Sequence, residues 1–168
     1  MGAFGNGSTM VAGMELGRIL DKDLFFYLFD LEVKRARRYQ NFISILLLHL
    51  SPLAGDGGEN GLKACYQTLS SILVEEARET DILGCLGETR LAALLPYADV
   101  TAGSQAKTRF ESTLKYYDFR SRGYQVAVQQ FCFPKNGTVT SDFIQKTLSS
   151  NPLEDHRLKC PNPSKSDN

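Results

Sequence analysis

Apolar side chains recur at Leu24, Phe25, Leu28, Phe29, Leu31, Val33 and Ala36, while Lys34, Arg35, Arg37 and Arg38 fill the opposite face. That period predicts an amphipathic helix over 22–39, with Asp21 placed to cap its first free N–H groups. Residues 43–50 are almost continuously apolar, the pattern of a strand covered on both faces. Leu62, Cys65, Tyr66, Leu69, Ile72 and Leu73 mark a second helix over 61–78. Two short apolar runs, 82–86 and 91–95, flank Gly87-Glu88-Thr89, and Pro96 ends the second run. Paired runs around a Gly-containing break predict a β-hairpin. A third helix is expected over 101–117, with Ala102, Ala106, Phe110, Thr113, Leu114 and Tyr117 along one side. Residues 124–133 alternate and read as a strand with one polar face. After a Pro/Gly turn, Ser141 stands where it can cap a short last helix ending near Leu148.

From the first strand onward the order is βαββαβ. It predicts an α+β fold, a ferredoxin-like antiparallel sheet with helices on one face, preceded by an N-terminal helix. Residues 1–13, rich in Gly and Ser, are expected to be a flexible leader. Residues 14–150 form the expected domain, and 151–168 a disordered polar tail.

Composition narrows the function classes. The 168 residues carry no formal net charge, so electrostatics offers no attraction to nucleic acid or to a membrane surface. The four cysteines, Cys65, Cys85, Cys132 and Cys160, show no C-x-x-C spacing. A reduced, cytoplasmic protein without structural zinc is expected. No apolar run approaches membrane-spanning length, and a signal peptide is not recognisable. His49 and His156 have no evident partner for metal or acid–base work.

Candidate chemistry gathers around the hairpin. Arg78-Glu79-Thr80-Asp81 precedes residues 82–86, then Gly87-Glu88-Thr89-Arg90-Leu91, then an apolar strand ending in Leu95-Pro96. An R-x-x-D, five residues, a G-G-D/E-E-F turn and a strand ending in L-P resemble the GGDEF (diguanylate cyclase) domain family. Glu32-Val33-Lys34-Arg35-Ala36-Arg37-Arg38-Tyr39 is similar to that family's segment before its first strand, and Ile19-Leu20-Asp21-Lys22 to its L-x-N-R entry. The resemblance spans roughly residues 20–148 and implies a nucleotidyl-cyclase-like version of the same core.

The resemblance also implies where catalysis belongs. Such a cyclase holds GTP with two divalent cations bound by acids at the first strand end and in the signature turn. Here those strand-end positions are His49 and Ser51; in the turn Glu88 stands at the second glycine, Thr89 at the metal-binding acid and Arg90 at the acid after it. The expectation is therefore no catalytic residues, no metal and no cofactor. The family's inhibitory site, which binds cyclic di-GMP, maps onto Arg78 and Asp81, with Arg109 as the second arginine from the next helix. A guanidinium donates in parallel to guanine O6 and N7 or to phosphate, and a carboxylate accepts from guanine N1–H and N2–H₂. The same R-x-x-D is also the pattern of an ordinary surface ion pair. The reading is a catalytically inactive GGDEF domain in bacterial signalling that receives cyclic di-GMP or regulates a partner. The alternative is a non-enzymatic module acting through another signalling protein or a homodimer, and an active diguanylate cyclase stands last.

Overall fold

Helix α1 spans Lys22–Tyr39, and its start is set as the sequence predicts: the Asp21 carboxylate accepts the Leu24 N–H at 2.9 Å. Its end is a left-handed Gln40, whose N–H closes on the Ala36 carbonyl. The chain is described from a computed structural model that covers residues 16–54 and 59–134, with Asp142, Lys146 and Leu148 beyond them. The predicted leader, the tail and most of the last helix lie outside the described residues. Asp142, Lys146 and Leu148 are helical, and Leu148 is buried.

Five strands form one sheet in the order β1-β3-β4-β2-β5. The central strand β2 (Ile43–Pro52) pairs antiparallel with β4 (Arg90–Pro96) on one side and β5 (Tyr124–Phe133) on the other. Strand β3 (Ile82–Gly87) pairs antiparallel with β4 as the predicted hairpin. The order β3-β4-β2-β5 is that of a ferredoxin-like core. A two-residue strand, β1 (Ile19–Leu20), adds to β3 in parallel; two residues are too few to leave a periodic signature.

Side-chain alternation along β2 explains its unbroken apolar run. Ile43, Ile45 and Leu47 pack with Phe25, Phe29, Val33 and Ala36 of α1. Leu46, Leu48 and Leu50 pack with α2 (Glu59–Glu76) and α3 (Val100–Tyr116) on the other side. Helices therefore cover both faces, correcting the one-face expectation. A strand apolar at every position has two faces to remove from water.

Two helix readings shift in detail. On α1 the covered stripe is narrower than the apolar arc, leaving Leu24 and Leu31 42% and 38% exposed. On α3 the buried positions are Gly103, Ala106, Phe110 and Leu114, whereas Ala102 and Tyr117 are exposed. Gly103 has no side chain to show in a hydrophobic pattern, yet it is the closest approach. A Cβ there would lie 2.3 Å from Ser44 Oγ. Gly84 of β3 plays the same part opposite α1, where a Cβ would stand 2.4 Å from the Phe25 ring.

Candidate functional site

Helix α2 stops at Glu76, two residues short of Arg78, so the R-x-x-D motif is a turn and not a helix end. The turn is closed twice. Asp81 N–H donates to the Arg78 carbonyl at 3.0 Å, and Arg78 N–H donates to Asp81 Oδ2 at 2.8 Å. Asp81 is buried, while the Arg78 side chain is exposed. No side-chain ion pair links the two residues among the described residues; the acid ties the backbone that carries the arginine.

Two further arginines converge on the end of α2. The Arg18 guanidinium, beside β1, donates to the carbonyls of Val74 (3.3 Å), Ala77 (3.4 Å) and Arg78. Arg109 of α3 donates through Nε to Glu76 Oε2 at 3.2 Å and through Nη2 to the Glu76 carbonyl at 3.1 Å. Thr113 Oγ1 donates to the other carboxylate oxygen, Glu76 Oε1, at 2.8 Å. The last carbonyls of a helix lack intrahelical partners and carry its negative dipole end, so cationic donors fit there.

The charges meet at Asp81. Burial raises its carboxyl above the ordinary value, and the Arg78 N–H together with the Arg78, Arg109 and Arg18 cations pull it partly back. Arg78, Asp81 and Arg109 thus share one electrostatic neighbourhood, with Arg109 engaged by Glu76. Arg18, Glu76 and Thr113 escaped the sequence reading, because their contacts cross between elements distant in sequence and no short motif marks them.

The turn at Gly87–Leu91 lies at the other end of β3, roughly 20 Å away at about 3.3 Å per strand residue. Gly87 has a φ of +151°, where a side chain is disfavoured. Glu88 is exposed at the apex, and the Thr89 carbonyl accepts Leu50 N–H at 2.8 Å. Arg90 is buried and sits opposite His49 across the β2–β4 ladder; Leu91 is fully buried. Burial and the Arg90 charge both push the His49 pKa down. An arginine cation and a disfavoured imidazolium therefore sit side by side at this end of the β2–β4 ladder. That donor set does not fit a divalent cation, which prefers carboxylate oxygens. Among the described residues no three His, Cys, Asp or Glu side chains come together to hold a metal.

Beside this turn a cavity of about 710 Å³ is lined by residues including Asn60, Lys63, Tyr66, Cys85 and Glu88. Tyr66 Oη donates to Cys85 Sγ at 3.0 Å, and burial with that bond raises the phenol's pKa.

The fold matches solved GGDEF domains. A DGC protein from Thermotoga maritima superposes with a TM-score of 0.65 at 16% identity, covering 78% of this chain and 94% of its own. The FimX GGDEF domain from Pseudomonas aeruginosa gives 0.64 at 16% identity, covering 79% of this chain and 86% of its own. The GGDEF domain of DgcB from Caulobacter crescentus, solved with c-di-GMP, gives 0.58 at 12% identity, over 81% and 85%. No family model and no curated protein sequence matches the chain. The described chain has a GGDEF-like fold, the class of domain found in diguanylate cyclases.

Proposed function

We propose that this chain is a catalytically inactive GGDEF-like domain that receives cyclic di-GMP at Arg78, Asp81 and Arg109. The observation that carries the reading is the doubly closed Arg78–Asp81 turn, which presents an exposed guanidinium on a fixed backbone. Preorganisation of that kind lowers the ordering cost of binding. Arg78 supplies the bidentate donor for guanine O6 and N7 or for phosphate. Asp81 Oδ2 is spent on the turn, which leaves Oδ1 to accept from guanine N1–H or N2–H₂. Arg109 adds positive charge from α3. No phosphoryl-transfer step is assigned, since His49, Ser51, Thr89 and Arg90 offer no metal-binding acid pair.

Calorimetric titration with cyclic di-GMP tests this reading. Wild type is expected to bind, and Arg78→Ala to lose roughly 30- to 1000-fold in affinity. Unchanged binding by Arg78→Ala rejects the site. Incubation with GTP and Mg²⁺ or Mn²⁺ is expected to yield no cyclic di-GMP, and product above a no-protein control rejects inactivity.

One observation favours a second reading, an interaction module. Leu24, Tyr27 and Leu31, at helical spacing on α1, remain 42%, 62% and 38% exposed. Acids at the helix start (Asp21, Asp23) and Arg38 at its end would complement each other in an antiparallel pair of copies, while Lys34 and Arg35 are engaged by Asp30 and Glu32 of the same helix. A concentration-dependent dimer by analytical ultracentrifugation, lost in Leu24→Glu, is its expected mark. A monomer at every concentration removes the homodimer.

A further inference from the structure

The contacts of Glu76 point to a role beyond ending a helix. Both carboxylate oxygens are used by α3: Oε2 by Arg109 Nε and Oε1 by Thr113 Oγ1. The Glu76 carbonyl takes a second Arg109 donor. The side chains of Arg109 and Glu76 are 40% and 24% exposed, so the pair sits at the surface and solvent reaches it. An exposed ion pair of this kind is weak and exchanges readily. Arg109 is bonded to Glu76 two residues before Arg78, so it sits at the end of α2 from which the Arg78–Asp81 turn departs, and its charge favours the Asp81 carboxylate.

We propose that Glu76 is the affinity-determining residue of this site: its carboxylate is an internal anion on Arg109, which an incoming anionic ligand replaces. The inference rests on the ligand-binding reading above and deepens it. Glu76 acts in two ways. It holds the Arg109 Nε–H that a phosphate or guanine acceptor needs, and its negative charge repels a ligand phosphate near the same guanidinium. The Nη2 bond to the Glu76 carbonyl does not depend on the carboxylate. Arg109 therefore stays anchored to α2 when the carboxylate lets go, and exchange requires only a side-chain rotation. Thr113 works in the opposite sense, since its hydroxyl keeps the Glu76 carboxylate turned toward α3.

Glu76→Gln separates these effects: it keeps the shape and a carbonyl oxygen to accept from Arg109 Nε–H, its amide NH₂ can donate to Thr113 Oγ1 in place of accepting from it, and the charge is removed. Cyclic di-GMP is expected to bind Glu76→Gln about three- to tenfold more tightly than wild type. Thr113→Val, which frees the carboxylate without removing it, is expected to give a smaller gain. Equal or weaker binding by Glu76→Gln, in a protein whose wild type binds and whose Arg78→Ala variant does not, overturns the role of Glu76. A second readout is independent of cyclic di-GMP. The Arg109 Nε–Hε resonance is followed by NMR while inorganic pyrophosphate is added. A larger shift in Glu76→Gln than in wild type supports the exchange even if cyclic di-GMP binds neither protein, in which case only the choice of ligand fails. Equal shifts in the two proteins, or none in either, reject it. Thermal melts of both variants check that the α2–α3 contact survives.

Discussion

Asp81 Oδ2 lies 2.8 Å from the main-chain nitrogen of Arg78, so the acid of the R-x-x-D motif shapes the turn from which the arginine projects. This relationship changes what substitution at each residue does. Removing the guanidinium leaves the turn intact. Removing the acid threatens the turn, and with it the ligand contact proposed above.

The ionisation of Asp81 gives the first prediction. Burial raises its folded-state pKa above the ordinary 3.8, against the partial pull of the arginines. From 3.8 up to that raised value, the folded protein holds a proton that the unfolded chain has released. Stability contributed by this group is therefore full below 3.8 and falls as pH rises through the folded value. Asp81→Asn keeps an acceptor for Arg78 N–H and cannot titrate. Denaturant melts across the acid range should show this downward component in wild type and not in the variant. At neutral pH the variant should lose less than about 1 kcal/mol. A larger loss would mean that the charge, and not the hydrogen bond, holds the turn.

His49 gives a prediction of opposite sign. Burial, then the Arg90 charge, lowers its pKa below 6.5. Between the lowered value and 6.5 the unfolded chain binds more protons than the folded one. Its contribution is present above 6.5 and is lost as pH falls through the folded value. His49→Gln should remove that rise in stability with pH. An NMR titration placing the imidazole pKa above 6.5 would contradict the assignment.

Core packing supplies the third. Phe110 is fully buried between α3 and the sheet. Phe110→Ala should cost about 3–5 kcal/mol in denaturant melts. A loss below about 1 kcal/mol, in the range of surface substitutions, would place the ring outside the core. That result would also move Arg109 away from the end of α2.

The close approach at Gly84 supplies the fourth. An added methyl would meet the Phe25 ring at 2.4 Å, and that ring is itself fully buried with no room to retreat. Gly84→Ala should destabilise by about 1–3 kcal/mol, as overpacking does. A much smaller loss would show that α1 rides further from β3 than described.

What the sequence determined by itself was local. The period of apolar residues marked α1, β2, α2, the hairpin, α3 and β5, since each element must turn its apolar positions toward a core. Asp21 announced a helix start through its own side chain. The absence of an acid at 49, 51, 89 and 90 was readable directly, because the donor atoms a divalent cation prefers belong to particular residue types whatever surrounds them. The tertiary structure decided relations between distant segments. It placed α1 against the second face of the sheet and made Gly103 and Gly84 the points of closest approach, which residues without side chains cannot announce. It brought Arg18, Glu76, Arg109 and Thr113 around one turn, joining parts of the chain 33 or more residues apart. Whether Arg109 meets a ligand or Glu76 depends on where α3 rests against α2. That depends on packing summed over the whole core, and no motif of a few residues carries it.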